Sequence, residues 1–428
     1  MRFPKLFVAL LLLGFACQQP AKNQSSDLLL EGNPSSVGMS ASRLERVDQM
    51  LQGAVDSGYV KGISGLIARN GKIVYYKSFG VADEQNSRPL KNDDIYRIAS
   101  QTKAITSVAA MMLFEEGKLL LDDPVEKYLS EFKNMEVLTA FDPSDSSYTA
   151  TKANKKITIR QLLTHTTGMS YFGFGMNDLR SIYAKKGLPC DFGSDQFDLA
   201  TFSEIAGTLP LAHQPGEHFT YGINTDILGR VIEVVSGVSL DAFFHERIFQ
   251  PLGMKDTYFY LPEEKHGRLI PVFANEGGVL KAYHGRDEYG VGLDYPLSQG
   301  SFYGGGAGLS STLKDYAVFL QMMLNGGIYN GKRLLSRRTV DLMTSNQIGD
   351  LNMGDNKFGL GFEIVTEKGQ QQLGVTAGTF RWGGYYGTTY WADPEEDIIG
   401  LCFVNQRKGM PGNLHDRFRV MVYAALDD

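Results

Sequence analysis

The sequence has 428 residues, enough for one large domain or two smaller ones, and 43% of them are hydrophobic and 11% aromatic, as in an ordinary globular protein. The formal net charge is −6 and no long run of lysine and arginine is present. These values exclude a fibrous or disordered chain, and they argue against nucleic acid as a partner, because binding it requires a concentrated basic surface.

The first residues have the layout of an export signal. Arg2 and Lys5 precede an apolar run over residues 6–16, which is too short to span a bilayer, and Cys17 and a polar segment follow. The segment resembles a bacterial lipoprotein signal, in which this thiol would carry a diacylglyceryl anchor to the membrane. A cleaved secretory signal with an incidental cysteine is the alternative. We expect residues 1–35 to be signal and tether, and the mature protein to lie in the periplasm or cell envelope.

The pattern after the tether begins with a helix and a hairpin. Ser40 is a suitable N-cap for an amphipathic helix over residues 41–56. Asn70 and Gly71 join two β-rich runs, GISGLIARN and KIVYYKSFG. Asn-Gly between such runs is typical of a two-residue β-hairpin.

The C-terminal part returns to strands. The stretches FGLGFEIV, QQLGVTAG, GTTYWADP and DIIGLCFVNQ predict strands, and HDRFRVMVYAAL predicts a closing helix. The middle is dominated by helical patterns such as AITSVAAMMLFEEGK. We therefore expect a mixed α/β fold, with an α/β lobe of about residues 36–104 and 351–428 and a helical lobe of about residues 105–350. Cys190 and Cys402 lie in contexts that do not favour a disulfide, and we expect both to be unpaired.

The stretch IASQTKAIT, residues 98–106, places Ser100 and Lys103 at the start of an apolar helix. Residues three apart on a helix share one face, so the amine can reach the hydroxyl. A serine hydroxyl is a useful nucleophile only when a base removes its proton, and burial favours the neutral lysine that can serve as that base. The helix start also directs backbone N–H groups toward an incoming carbonyl oxygen.

An S-x-x-K pattern alone is weak evidence, because it arises often by chance. This chain has a second copy, STLK at residues 311–314. Context separates the two copies. Ser100 lies between a strand-like segment and an apolar helix, whereas Ser310 or Ser311 is interpreted as the cap of an exposed helix.

Four further motifs follow Ser100 and Lys103 in order: LLTHTTGM, PGEHFTYGINTDILGRVIE, GGGAGLSSTLKDYAVFL and RWGGYYGTTYWADP. Together the five motifs resemble the serine β-lactamase-related superfamily, and within it the class C-like branch that contains the family VIII esterases. The resemblance covers residues 36–428. It implies an antiparallel sheet flanked by helices, with a helical lobe beside it, and an acyl-enzyme mechanism that needs no cofactor.

The resemblance also implies roles for individual residues. Tyr221 falls where the superfamily keeps a tyrosine that moves protons between the lysine, the serine and the leaving group. The backbone N–H groups of Ser100 and Tyr385 would form the oxyanion hole. The substrate-binding residues expected on this basis are Trp382, Gly383, Gly384, Asn224 and Tyr303.

Two departures from the β-lactamase pattern bear on the substrate. The Tyr-x-Asn motif has Ile223 at its third position, with the amide one residue later, and Trp382 stands where Lys-Thr-Gly or His-x-Gly begins. An indole thus replaces the cation that would bind a carboxylate, and we expect the adjacent Arg381 on the opposite face of its strand. A more apolar pocket favours short-chain or aromatic esters over penicillins. Aromatic residues available to line it are Tyr171, Phe172, Phe174, Tyr303 and Tyr386.

The sequence therefore predicts a serine hydrolase that acts on a carboxylic ester or a related small acyl substrate. A β-lactamase or a D-amino-acid or DD-peptidase is the rival enzyme. A penicillin-binding or sensor lipoprotein that is acylated without turnover is the alternative outside catalysis. The seven histidines form no H-E-x-x-H motif, so no metal site is expected, and His165 is interpreted as structural.

Overall fold

The computed structural model describes residues 28–83, 87–173, 175–407 and 412–428. The predicted export signal with Cys17, and Phe174, lie outside these residues. Within the described ranges, no helix is long and apolar enough to cross a membrane.

The described chain contains both short and long strands and helices. The strands are β1 (Leu30–Glu31), β2 (Gly62–Arg69), β3 (Lys72–Gly80), β4 (Tyr96–Arg97), β5 (Glu136–Asp142), β6 (Ser147–Lys152), β7 (Val272–Glu276), β8 (Val279–Tyr283), β9 (Ser310–Ser311), β10 (Ile328–Tyr329), β11 (Lys332–Arg333), β12 (Lys357–Phe358), β13 (Glu363–Ile364), β14 (Phe380–Gly384), β15 (Thr388–Asp393), β16 (Ile398–Phe403) and β17 (Gln406–Arg407). The α-helices are α1 (Ala41–Asp56), α2 (Thr102–Glu115), α3 (Ile159–Leu163), α4 (Asn177–Lys185), α5 (Leu199–Ala206), α6 (Asn224–Ser236), α7 (Leu240–Phe244), α8 (Gln250–Leu252), α9 (Leu313–Leu324), α10 (Arg337–Met343), α11 (Glu367–Leu373) and α12 (Leu414–Tyr423).

Eight strands form the central sheet, in the order β1-β3-β2-β16-β15-β14-β13-β12. Neighbouring strands are antiparallel throughout, except that β1 and β3 pair in parallel. The sheet is built from both ends of the chain, as predicted. It begins before residue 36, because residues 30 and 31 of the expected tether pair with Lys72 and Ile73.

The two predicted N-terminal elements are confirmed. The hydroxyl of Ser40 caps α1 by accepting a hydrogen bond from the backbone N–H of Arg43. Asn70 and Gly71 turn the β2–β3 hairpin with φ values of 50° and 70°. This left-handed backbone matches the twist of the two strands and suits Asn-Gly.

Alternating side chains of the sheet enter two different cores, as the pleat of a strand requires. On β2, Ile67 packs in the core formed with α1 and α12, whereas Leu66 enters the larger core of the other face. Helix α9 packs against β2, β15 and β16 on that other face. Residues 313–324 therefore cover the sheet, although they fall within the range of about 105–350 that the sequence assigned to the helical lobe.

Two predictions from local sequence were wrong. QQLGVTAG is not a strand, because the hydroxyl of Thr366 caps α11 and Gly374 ends it with φ 66°. Helix α9 is capped by Thr312, whereas Ser310 and Ser311 form β9. The region from 105 to 350 also contains three hairpins, β5–β6, β7–β8 and β10–β11, which helical periodicity did not indicate.

The two described cysteines are free, as expected. Cys402 is buried in β16 and Cys190 is partly buried.

Candidate active site

The chain reaches Ser100 through a tight turn. β4 pairs with β9, a 3₁₀ turn follows over residues 99–101, and α2 starts at Thr102. Ser100 thus lies in the 3₁₀ turn that directly precedes α2. Ala99 has φ 42°, a left-handed conformation that costs free energy for a residue with a side chain. This strained backbone directly precedes the predicted nucleophile.

Lys103 lies beside Ser100, as the spacing predicts. Its Nζ is 3.3 Å from Ser100 Oγ, and it donates hydrogen bonds to Tyr171 Oη at 2.8 Å and to the carbonyl oxygen of Gly306 at 2.7 Å. The lysine is only 1% exposed and the serine 8%. A neutral amine has two N–H groups and one lone pair, so with these two hydrogen bonds made it can accept the proton of Ser100.

Tyr221 is also at the site, but its hydroxyl does not lie where the resemblance placed it. The ring of Tyr221 faces Lys103, with Nζ 4.7 Å from the ring centroid. Its hydroxyl oxygen accepts a hydrogen bond from Trp382 Nε1 at 3.2 Å. The phenolic oxygen that contacts the lysine therefore belongs to Tyr171.

Tyr171 is a site residue that sequence reasoning considered only as pocket lining. Its ring packs at 5.5 Å from that of Tyr221. Burial raises the pKa of the Tyr171 phenol well above its usual value, and the nearby Tyr221 and Asp226 act in the same direction. Tyr171 is thus a neutral phenol at neutral pH. The only signal in the sequence was its place directly after the LLTHTTGM motif and Ser170.

Asp226 is a second buried group that the sequence did not single out. Its Oδ1 accepts a hydrogen bond from the backbone N–H of Gly306 at 2.9 Å, while the carbonyl of Gly306 binds Lys103. A Cβ at position 306 would lie 2.6 Å from Asp226 Oδ2, which explains the glycine. Burial raises the pKa of the Asp226 carboxyl, and Lys103 opposes this shift.

Asn224 is engaged by neighbouring buried side chains. It is fully buried, its Nδ2 lies 3.0 Å from His165 Nδ1, and its Oδ1 accepts a hydrogen bond from Thr167 Oγ1. The His165 ring packs 4.7 Å from that of Tyr221. Burial holds the pKa of His165 well below its ordinary value. Asn224 and a neutral His165 therefore support Tyr221, in place of the substrate-binding role predicted for Asn224.

The end of β14 lies against the turn that carries Ser100. A Cβ at Gly384 would overlap the carbonyl oxygen of Ile98, two residues before Ser100, whereas a Cβ at Gly383 would approach only the Thr388 carbonyl, at 3.3 Å. The glycine at 384 therefore lets the strand contact the turn that carries Ser100, and Tyr385 follows directly.

Arg381 points away from Trp382, as expected for adjacent residues of a strand. Its Nη2 donates to Glu363 Oε1 at 3.0 Å, and its partner across β14–β15 is Trp391, which packs against α12. Arg381 thus supplies no cation on the side of Trp382 and Tyr221.

The predicted aromatic lining is only partly assembled. Phe172 packs against Tyr171, with ring centroids 5.4 Å apart. Tyr303 packs on Phe259 and Tyr260 in the helical lobe, and Tyr386 is fully buried. The rings of Tyr171 and Tyr221 lie beside Lys103 and pack against further aromatic rings. We call this connected set the aromatic wall, and its members are Tyr171, Phe172, Tyr221, Phe358 and Trp382. No cluster of potential metal ligands occurs in the described parts of the chain.

Comparison with known proteins identifies the family of the chain. The sequence model of the Beta-lactamase family matches residues 47–425. An uncharacterized protein of Mycobacterium tuberculosis is 33% identical over 363 residues, covering 82% of this chain and 86% of its own. Esterase EstB of Burkholderia gladioli is 28% identical over 409 residues, covering 92% and 98%. The structure of EstCE1, a hydrolase with promiscuous acyltransferase activity, matches with a TM-score of 0.78 at 25% identity, covering 89% and 98%. The chain therefore belongs to the β-lactamase family and is a serine hydrolase.

Proposed function

We propose that this protein hydrolyses neutral carboxylic esters through an acyl-enzyme on Ser100. The observation that carries the proposal is the buried set of hydrogen bonds around Lys103. Its Nζ lies 3.3 Å from Ser100 Oγ and donates hydrogen bonds to Tyr171 Oη and to the carbonyl oxygen of Gly306. In this arrangement a neutral lysine has its lone pair available for the serine proton.

The reaction follows from these positions. Lys103 takes the proton of Ser100 as Oγ bonds to the ester carbonyl carbon. The resulting oxyanion is stabilised by the backbone N–H groups of Ser100 and Tyr385. The C–O bond to the alcohol then breaks, and the alcohol leaves with a proton supplied through Tyr221 or Lys103. Water, deprotonated by the same groups, adds to the acyl carbon and releases the acid and Ser100.

The preference for neutral esters rests on Trp382. The indole packs between Tyr221 and Phe358, at 5.3 Å from each ring, in the place where a β-lactamase keeps a cation. Arg381 is committed to Glu363 on the other face of the sheet. A substrate carboxylate would enter the aromatic wall without a partner, which is unfavourable. The similarity to EstB, an esterase, and to EstCE1, a hydrolase, supports an acyl substrate of this kind.

The test compares ester and β-lactam turnover on one preparation. We expect kcat/KM for p-nitrophenyl butyrate to exceed that for nitrocefin, and mass spectrometry of the intact protein to show a butyryl adduct on Ser100. Ser100→Ala should abolish both the adduct and the turnover without loss of fold. A higher kcat/KM for nitrocefin would replace the esterase proposal by a β-lactamase. A stable adduct without turnover would indicate a penicillin-binding or sensor protein.

We further propose that the protein is exported and anchored by a lipid on Cys17. The basic, apolar and cysteine-containing order of residues 2–17 supports this. Expressed in a bacterium, the wild type should sediment with membranes, and Cys17→Ser should move it to the soluble periplasmic fraction. A soluble periplasmic wild type would favour the secretory alternative, and a cytoplasmic one would refute export.

A further inference from the structure

The side chain of Tyr385 is held by residues that the proposed mechanism does not use. Its hydroxyl donates a hydrogen bond to Asp287 Oδ2 at 2.9 Å. The guanidinium carbon of Arg407 lies 3.8 Å from the centroid of its ring, at contact distance for a planar cation over an aromatic face. The Tyr385 side chain is thus contacted both at its hydroxyl, by Asp287, and over the face of its ring, by Arg407.

Two consecutive acids of one loop complete this arrangement. Asp287 Oδ1 accepts hydrogen bonds from the backbone N–H groups of Tyr289 and Val291, at 2.9 and 3.0 Å, so its carboxylate is fixed by its own loop. Glu288 Oε1 accepts a hydrogen bond from Arg407 Nη2 at 2.8 Å. The four residues that we call the Tyr385 clamp are Asp287, Glu288, Tyr385 and Arg407.

The clamp is connected to the peptides on both sides of Tyr385. The preceding residue, Gly384, packs against the carbonyl of Ile98 in the turn that carries Ser100. The carbonyl of the following residue, Tyr386, accepts a hydrogen bond from the N–H of Gln406 at 2.9 Å, and Arg407 comes next in that strand. The clamp and the turn that carries Ser100 therefore contact the same short segment of backbone, residues 384–386.

Burial keeps the Tyr385 phenol in its protonated form. Burial raises the pKa of this phenol above its usual value, Arg407 opposes the shift, and Asp287 adds to it. Tyr385 therefore remains a hydrogen-bond donor to Asp287 at neutral pH. The glycines at 383 and 384 contribute no side chains to packing, so the ring of Tyr385 is the first side chain after Trp382 that can fix the end of β14.

We propose that the Tyr385 clamp positions the backbone N–H of Tyr385 in the oxyanion hole, and that Asp287 and Arg407 are positioning residues for acyl transfer to Ser100. The proposal rests on the esterase mechanism proposed above, in which this N–H stabilises the oxyanion. A donor stabilises the transition state fully only when it points at the position the oxyanion will occupy. A loosened ring would let the peptide rotate away from that position.

The experiment uses Tyr385→Phe, which removes the bond to Asp287 while keeping the ring, and Arg407→Met, which removes the cation over the ring. Two readouts are measured on the full chain: kcat and KM for p-nitrophenyl butyrate, and the rate of Ser100 phosphonylation by a fluorophosphonate. In the second reaction the Oγ–P bond forms, the P–F bond breaks and fluoride leaves, while the phosphonyl oxygen occupies the oxyanion hole. Tyr423→Phe is the matched control, because Tyr423 donates to Asp393 at 2.7 Å on the α12 side of the sheet.

We expect both clamp variants to lower kcat and the phosphonylation rate in parallel, by about tenfold, less than the 10²–10³ that follows loss of an oxyanion donor, with KM little changed. Arg407→Lys should give an intermediate rate, because it keeps the charge but not the planar contact. Tyr423→Phe should stay within twofold of the wild type.

Clamp variants within twofold of the wild type in both readouts would overturn the proposal, as would a fall in ester turnover with unchanged phosphonylation. Failure of the esterase proposal is distinguishable. A wild type that is phosphonylated on Ser100 but cleaves no ester would refute the substrate class, while the phosphonylation rates of the variants would still decide the role of the clamp.

Discussion

Two tyrosines reach Lys103 by different parts of the side chain, and this difference predicts different roles. Tyr171 contacts the amine with its hydroxyl, whereas Tyr221 offers its ring and holds its hydroxyl at Trp382. Tyr171→Phe should lower kcat/KM for all esters alike, on the order of 10²-fold, because it disturbs the base. Tyr221→Phe should cost about 10² to 10⁴ for ethyl butyrate but much less for p-nitrophenyl butyrate, whose alcohol leaves without a proton.

The two esters measured on both variants decide the assignment. If Tyr171→Phe loses only the ethyl ester activity, the two roles are reversed.

The orientation of the two tyrosine hydroxyls, on which this prediction rests, was not accessible from the sequence. The contact of Tyr171 with Lys103 joins residues 68 apart, and the hydroxyl of Tyr221 is oriented by a tryptophan 161 residues away. A motif match can place a tyrosine at the site, but it does not fix the direction of its hydroxyl.

Trp382 sets the second prediction at the residue scale. Trp382→Lys should raise kcat/KM for nitrocefin by about tenfold or more, because a well-made ammonium–carboxylate pair contributes about 1.5 to 3 kcal/mol. It should also lower ester turnover, because the indole N–H no longer binds Tyr221. Trp382→Phe is the control, since it removes this N–H without adding a cation. Equal nitrocefin activity in the two variants would refute the explanation of the substrate preference by charge.

At the scale of elements, the contact between β14 and the nucleophile turn gives a paired prediction. Gly384→Ala should lower the free energy of unfolding by about 1 to 3 kcal/mol, because the added methyl group would overlap the Ile98 carbonyl and either the strand or the turn must move. Gly383→Ala should cost less than about 1 kcal/mol, since only the Thr388 carbonyl approaches that position. Urea unfolding of both variants measures the difference. Equal losses would show that the close approach at 384 has no energetic consequence.

Elements with a contiguous local signal were predicted correctly from the sequence, and those that depend on distant partners were not. Helix α1 carries its own cap, and the β2–β3 hairpin carries its own turn residues, so a window of a few residues was sufficient. The strand predicted at QQLGVTAG failed because the capping residue of α11, Thr366, lies outside that window. Asn224 was expected to face substrate by analogy with a motif, yet its partners His165 and Thr167 come from a segment almost sixty residues earlier.

At the scale of the whole molecule, the two ends of the described chain are joined beside the sheet. The N–H of Ser40, which caps α1, donates to the carbonyl of Ala425 at 2.8 Å, and α1 packs against α12. Arg69, at the end of β2, connects the same regions, with Asp428 at 2.9 Å and Glu396 at 2.8 Å. Its Nη1 also donates to the carbonyls of Val37 and Gly38, each at 3.0 Å. One buried guanidinium thus links the N-terminal segment, the β15–β16 turn and the C-terminus.

Arg69→Met tests whether this junction stabilises the molecule. The methionine can fill the space of the side chain but leaves the buried Val37 carbonyl without its donor, whereas the Gly38 carbonyl keeps a hydrogen bond from the N–H of Asp427 at 3.0 Å. An unsatisfied buried polar group costs about 1 to 3 kcal/mol. The two carboxylates add little to this cost, because Glu396 and Asp428 are 32% and 55% exposed and regain water. We therefore expect the free energy of unfolding to fall by about 1 to 3 kcal/mol. Arg337→Met removes an exposed ion pair with Asp341 and should change it by no more than about 0.5 kcal/mol. If urea unfolding gives the same loss for both variants, the guanidinium at the junction contributes no more to stability than a surface charge, and the packing of α1 on α12 and the backbone hydrogen bonds, such as that from Ser40 to Ala425, are sufficient to hold the N- and C-terminal regions together.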